Sequence, residues 1–380
     1  MVLSTPVISI VMPSMNEERT IRTCIEKAHG VFRHYGVEGE IIVVDNSSDS
    51  TPKIARSLGS KVISSVIGYG NAYITGLANA RGEYIAIADA DNTYDLEELP
   101  RFLDHLMKGE ADFVIGTRLK GDIKEDSMPW LHQHIGNPFL TWLLDNLFNI
   151  NISDAHCGMR AFTRDALDKL AFKTKGMEFA SEMIIEAAHK GLRITEVPIT
   201  YYQRDAPSKL RSFHDGWRHV RFMMLYRPVP FLFVPGAIVM LIGTFMTVSL
   251  LLRGSVVDQR LHSFILGSIL LIIGAQILAT GGYVKTYGLI HGLYEKNDIH
   301  NNKLLTYHSM EKELLAGFIV LAMGVSLGSY IVYEWIAAGY GSIFEIEYAI
   351  ISMVFIAIGI QVIFGAIFMS MMLLDTNIDR

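Results

Sequence analysis

Cysteine is nearly absent from this chain of 380 residues, with Cys24 and Cys157 as the only two. That excludes a disulfide scaffold and a four-cysteine zinc site, and it fits a reducing compartment. A basic excess is also lacking. The 33 Lys and Arg fall short of the 39 Asp and Glu, giving a net charge of −6, so general affinity for nucleic acid is not expected. No basic stretch followed by a long apolar one opens the chain, since Val7–Met12 is too short. No signal peptide is therefore expected, and residues 1–228 are expected on the cytoplasmic side.

Charge is missing altogether from four long stretches. Val229–Leu252, Leu261–Val284, Leu314–Tyr333 and Tyr348–Leu374 contain no Asp, Glu, Lys or Arg. Each is long enough to cross roughly 30 Å of hydrocarbon as a helix. Four transmembrane helices are expected, with Gln276 and Gln361 facing helix neighbours. An even number of spans returns the C-terminus to the cytoplasmic side. The loop Lys285–Lys312 then carries Lys285, Lys296, Lys303 and Lys312 on that side, against Arg253 and Arg260 opposite. That bias follows the positive-inside tendency.

What is present is concentrated before residue 229. Apolar runs that read as strands (Val7–Met12, Ile41–Val44, Lys61–Ser65, Tyr84–Ala88, Phe113–Gly116) alternate with helical stretches (Glu17–Tyr35, Thr51–Leu58, Ala72–Ala80, Leu96–Lys108). This order implies a mostly parallel sheet covered on both faces, with ligand residues just after the strands. The run Tyr84–Ala88 ends abruptly in Asp89-Ala90-Asp91. If the chain stays extended there, both carboxylates point the same way at the strand's C-terminal edge. Two hard oxygen donors suit Mg2+ or Mn2+ holding a diphosphate. Pro13–Glu18 follows the first strand and Asp45–Thr51 the second. Asp45 could accept from a base's ring N–H, while Asn16, Ser48 and Asp49 serve equally well as helix caps. Gly68-Tyr69-Gly70 is a permissive loop, without the Gly-Lys-Ser/Thr of a P-loop ATPase.

Taken together, Pro13–Glu18, Asp45–Thr51, Gly68–Gly82 and Asp89-Ala90-Asp91 resemble family 2 glycosyltransferases, whose nucleotide-sugar domain has the GT-A fold. The resemblance implies that Pro13, Met15, Glu17, Asp45 and Asp89 surround the nucleotide and that Asp89 and Asp91 engage the metal. Asn46 departs from the commoner double-aspartate form. Ile115–Arg118, Gly136–Pro138, Asp154–Arg160, Gly176–Met183 and Ser208–Leu210 resemble the polyprenyl- and dolichyl-phosphate sugar synthase branch. No Gln-x-x-Arg-Trp is present, which argues against a chain-extending polysaccharide synthase.

A lipid phosphate is already a nucleophile, so its placement and charge neutralisation matter more than a strong base. Arg118, Arg160, Arg204 and Lys209 are candidates for gripping it, each with a surface ion pair as the plain alternative. Asp154 is the candidate catalytic carboxylate beside Asp91. Glu178, Glu182 and Glu186 form one helical stripe, whose default reading is a solvated face; Glu178 or Glu182 is a weaker catalytic alternative. In Arg211–Arg227, Phe213, Trp217, Val220 and Met224 share one helical face and Arg211, Arg218 and Arg221 another. This suits a helix lying in the membrane interface, with packing on the soluble domain as the alternative.

The expected organisation is a cytoplasmic α/β GT-A domain (1–210), an interfacial helix (211–228) and an all-α membrane domain (229–380). The expected activity is metal-dependent, inverting transfer of one sugar, with UDP-glucose the favoured donor, to polyprenyl or dolichyl phosphate. A different lipid acceptor, or a membrane carrier with a relic nucleotide domain, stays open. The implied partners are the nucleotide sugar, the lipid and the membrane, not nucleic acid; self-association into a homo-oligomer stays open.

Overall fold

A computed structural model describes residues 6–205, 212–253, 260–294, 307–340 and 346–373. Lys209 and Arg211 lie outside the described residues. The chain forms two compact units, Met1–Phe222 and Met223–Arg380.

The first unit is built on seven strands: β1 (Ile8–Ser14), β2 (Gly39–Asp45), β3 (Lys61–Ile63), β4 (Tyr84–Ile87), β5 (Phe113–Ile123), β6 (Arg160–Thr163) and β7 (Ile194–Tyr201), in the order β3-β2-β1-β4-β6-β5-β7. The pairs β1–β2, β1–β4, β2–β3 and β5–β7 are parallel. Only β6 runs antiparallel, between β4 and β5. Ile8, Ile10, Val11, Ile42, Val43, Ile85 and Ala86 are fully buried. Continuous apolar strands of this kind are what a sheet covered on both faces requires.

Helices α1 (Ile21–Tyr35), α2 (Thr51–Ser57), α3 (Tyr69–Asn79) and α4 (Leu99–Met107) stand where helical stretches are expected. In α1, Ile21, Cys24, Ile25, Ala28, Val31 and Phe32 form the buried stripe, and Gly36 closes the helix in the left-handed conformation. The helix starts at Ile21 rather than Glu17 because Asn16 takes a φ of 57°, which turns the chain first. Three more helices follow: α5 (Asn137–Phe148), α6 (Arg164–Lys169) and α7 (Phe179–His189). The acidic stripe on α7 is not a solvated face. Glu182 and Glu186 are buried, and the Glu182 carboxylate accepts from the backbone N–H groups of Lys173 and Thr174, each at 2.9 Å.

In α8 (Ser212–Tyr226), Arg218 pairs with Glu178 at 2.9 Å and His219 is buried, bonded to Ser181 at 2.8 Å. Arg218 is therefore committed to a carboxylate of its own unit. Trp217 stays exposed.

The second unit consists of α9 (Val234–Leu252), α10 (Leu261–Ile290), α11 (Tyr307–Ala337) and α12 (Ile346–Leu373). The apolar segments Val229–Leu252, Leu261–Ile290, Glu311–Ala337 and Ile346–Met372 are each long and apolar enough to cross a membrane. Three helices overrun the charge-free stretches, because backbone hydrogen bonding continues past the last apolar residue. The expected end at Leu374 lies outside the described residues. Glycines bring α9 and α10 into close contact: a Cβ on Gly243 would come within 2.4 Å of the Leu271 backbone nitrogen, and one on Gly274 equally close to that of Met240.

Candidate active site

The C-terminal ends of β1, β2 and β4 meet in one acidic cleft. Two turns shape it. Asn16 after β1 and Asn92 after β4 both take left-handed backbone, with φ of 57° and 58°, which asparagine tolerates better than most residues. Asp89-Ala90-Asp91 is therefore not extended, as a period-two reading requires. Strand β4 stops at Ile87 and the chain turns through Ala90 and Asp91. Asp89 still feels the charge of Asp91. Burial and then the Asp91 charge push Asp89 up to about 7. Asp91 Oδ1 accepts from Thr93 N and Oγ1 at 3.1 and 2.6 Å.

The first two loops are laced together. Asn16 N donates to Ser47 Oγ at 2.6 Å, Ser48 N to Asn16 Oδ1 at 2.9 Å, and Glu17 N to Thr51 Oγ1 at 3.0 Å. Asp49 accepts from Thr51 N at 3.0 Å and Glu18 N at 3.3 Å, so it acts as a cap. Asp45, at the end of β2, is buried, and its Oδ1 takes the Ser14 and Ser47 hydroxyls at 2.5 Å each. Pro13 lies in β1 beside Val44, and Met15 is exposed. Arg204, three residues past β7, closes the cleft: Nη2 donates to Glu17 Oε1 at 2.5 Å, and Nε lies 3.4 Å from Asp91 Oδ2. The structure thus brings Glu17, Asp45, Asp89, Asp91 and Arg204 to the same end of the sheet.

Asp154 and Arg160 take positions other than those expected. Asp154 has no exposed side-chain surface. Arg118 grips it with Nε and Nη2 at 2.7 and 2.9 Å, and the Arg118 backbone N–H adds a bond of 3.1 Å. Burial raises the Asp154 carboxyl, but Arg118 outweighs it and holds the carboxyl below its usual range. Both of its oxygens are thus engaged by Arg118. Arg160 is also buried, and it spends its guanidinium on the carbonyls of Cys157, Ala180 and Ala155 at 2.9, 2.9 and 3.0 Å. A phosphate could reach it only by breaking that frame. Arg118 keeps Nη1 without a hydrogen bond among the described residues, and its guanidinium stands 5.2 Å over the Tyr201 ring.

Several residues at the site carry little sequence signal. Tyr73 donates to Asp89 Oδ1 at 3.0 Å, and Tyr94 accepts from Gly158 N at 2.9 Å. Their sequence mark is an aromatic where an aliphatic residue would fill the same core. Gly68 and Gly70 leave room for the 174–175 backbone: a Cβ on Gly70 would lie 2.4 Å from the Thr174 carbonyl oxygen. Close packing of the chain on itself thus accounts for the glycines of this loop.

Comparison with known proteins bears on the whole chain. The Glycosyl transferase family 2 model matches residues 9–171, and the Glycosyltransferase family 2 C-terminal transmembrane region matches 282–373. A low-salt glycan biosynthesis hexosyltransferase of Haloferax volcanii is 39% identical over 368 residues, covering 95% of this chain and 88% of that one. The chain belongs to glycosyl transferase family 2. This glycosyltransferase is also 34% identical over 211 residues to a dolichyl-phosphate hexose transferase of the same organism, covering 55% of this chain and 89% of that one. A UDP-N-acetylglucosamine–dolichyl-phosphate N-acetylglucosaminyltransferase of Methanococcus voltae is 30% identical over 252 residues, covering 59% and 97%. Among solved structures, glucosyl-3-phosphoglycerate synthase from Mycobacterium tuberculosis, with Mn2+, UDP and product, aligns at 21% identity and a TM-score of 0.48 over 58% of this chain and 79% of that one. The catalytic unit of the glycosyltransferase is a GT-A domain, and four apolar helices follow it.

Proposed function

We propose that the glycosyltransferase moves one sugar from a nucleoside diphosphate sugar to a polyprenyl or dolichyl phosphate, with inversion, at the cytoplasmic face of a membrane. The observation that carries this reading is the acidic cluster at the strand ends: Asp89 and Asp91 in the turn that follows β4, with Arg204 joining Asp91 to Glu17. The names of two relatives support the dolichyl phosphate acceptor. UDP-glucose is the first donor to test and UDP-N-acetylglucosamine the second.

The cleft fits a divalent cation. Asp89 and Asp91 are hard oxygen donors, and burial together with the Asp91 charge opposes ionisation of Asp89 until a cation arrives. Among the described residues no group of three or more His, Cys, Asp or Glu could hold a metal alone. Two protein donors plus diphosphate oxygens and water are the usual shell for Mg2+. Bound there, Mg2+ or Mn2+ would neutralise the departing diphosphate.

The chain's own residues do the rest. Met15, Glu17 and the buried Asp45 border the nucleotide, and Pro13 keeps the end of β1 in place beside them. Arg204, already between Glu17 and Asp91, can turn to a phosphate. Arg118 presents Nη1 to the acceptor, with Asp154 setting its orientation. A phosphate oxygen of the lipid attacks the anomeric carbon as the bond from that carbon to the diphosphate oxygen breaks, and the nucleoside diphosphate leaves. No proton need be removed from a dianionic acceptor. Trp130, Leu131, Ile135, Phe139 and Trp142, each about half exposed or more, recur at roughly helical spacing along the segment that leads into and forms α5. Such a ridge suits a lipid surface.

The test is transfer of radiolabel from the nucleotide sugar into the organic phase with dolichyl phosphate and Mn2+. Asp91→Ala is expected to abolish it, and full activity in that variant overturns the reading.

A further inference from the structure

The two carboxylates of the cleft are held differently. Asp91 is bonded within its own turn by Thr93. Asp89 is held from a distant helix, by the hydroxyl of Tyr73 at 3.0 Å. Tyr73 is 1% exposed. The ring itself is immobilised. It stacks on Phe179 with centroids 5.5 Å apart and planes 6° from parallel, and it meets the edge of Tyr69 at 4.9 Å. Phe179 in turn leans on Phe172 at 5.0 Å.

The start of α3 is pinned as well. Asn71 N donates to the Lys175 carbonyl at 3.3 Å, and the segment bearing that carbonyl is clamped by the buried Glu182 through Lys173 N and Thr174 N. On the far side of Asp89, Gly158 approaches so closely that a Cβ there would lie 2.9 Å from Oδ2. A hydroxyl on one side and a bare backbone on the other leave the carboxylate little freedom to rotate.

We infer that Tyr73 is a positioning residue for Asp89: it holds the carboxylate in one orientation, so that the nucleotide and its cation bind without first ordering it. The inference rests on the metal reading above. Its physical basis is general. A hydrogen bond to an ionised group is among the stronger kinds, and a preorganised ligand binds more tightly than one that must be ordered.

The test uses the full-length enzyme in detergent. Mn2+ is titrated against it with saturating UDP, and free Mn2+ is read by electron paramagnetic resonance. Tyr35→Phe is the control, since its hydroxyl bonds Pro100 O and Asp104 on another helix. Expected are a roughly tenfold weaker Mn2+ affinity for Tyr73→Phe and a change within about twofold for Tyr35→Phe. Excess Mn2+ should restore the Tyr73→Phe rate, which would not follow if the ring merely supported the fold. Asp89→Asn should lose UDP-dependent Mn2+ binding. If Asp89→Asn loses it while Tyr73→Phe binds like the parent, the inference is overturned and the metal reading stands. If Asp89→Asn binds Mn2+ as the parent does, the metal reading fails and takes the inference with it.

Discussion

The two units of this glycosyltransferase fill their interiors by opposite means. The catalytic unit buries charge: Arg118, Arg160, Asp154 and Glu182 are all in its interior. Each has polar atoms matched by a carboxylate, a carbonyl or a backbone N–H, with Arg118 Nη1 the one left over in this set. The membrane unit buries glycine. Gly236 and Gly243 on α9, and Gly267, Gly274 and Gly281 on α10, recur every seven residues and are buried, the spacing of a left-handed helix pair. The contrast shows what each interior can compensate. In a water-soluble fold, desolvating an ion is tolerable when several hydrogen bonds replace its hydration. Between helices in hydrocarbon, apolar burial brings no gain over lipid, so close backbone packing must supply the attraction.

Breaking a buried ion pair tests the first half of that contrast most severely. Asp154→Ala leaves Arg118 charged and unmatched, and should lower the stability of the catalytic unit by about 3–5 kcal/mol, followed by tryptophan fluorescence in denaturant. A variant that keeps its stability and loses only turnover would instead make Asp154 a group that works on substrate.

The second half is tested at a glycine. Gly274→Leu drives a side chain into the Met240 backbone, and the cost should be about 1–3 kcal/mol, seen as a lower melting temperature in detergent. Turnover per folded molecule should change little. Equal stability would show that α9 and α10 are not held by this contact.

A third measurement separates buried charge with a partner from buried charge awaiting one. Asp89 is raised from 3.8 to about 7 by burial and by Asp91. The folded state therefore binds this proton more tightly than the unfolded chain. The contribution to stability is full below about pH 4 and is lost as pH rises through about 7. Metal-free enzyme should melt lower at pH 8 than at pH 5 on this account, and Asp89→Asn should flatten that slope. Asp154, held below its usual range by Arg118, has the opposite sign: its contribution is lost on acidification.

The smallest expected effect is at the surface. Trp142→Ala should shift stability by no more than about 0.5 kcal/mol, as exposed positions do. It should raise the apparent KM for dolichyl phosphate in vesicles several-fold while leaving that for the nucleotide sugar unchanged. No change in either would detach the aromatic ridge from lipid.

Much of this architecture is legible in the order of residues. Apolar runs of strand length separated by amphipathic stretches demand a covered parallel sheet, and four charge-free stretches demand helices in hydrocarbon, because both patterns reflect local periodicity and length. The acidic pair after β4 stands out for the same reason: carboxylates ending an apolar run need a purpose. Partnership was decided only in three dimensions. Nothing near Asp154 in the chain announces that Arg118, 36 positions away, takes both its oxygens, nor that Arg160 is spent on carbonyls. The acidic stripe of α7 has the spacing of a wet face, yet Glu182 turns inward to clamp a loop. Tyr73 looks like an ordinary core aromatic until α3, packed over β1 and β2, brings its hydroxyl to Asp89. Sequence determines what a residue can do within a few turns of its own backbone. Which distant group satisfies a buried charge depends on how the strands are ordered, and that ordering is a property of the whole fold.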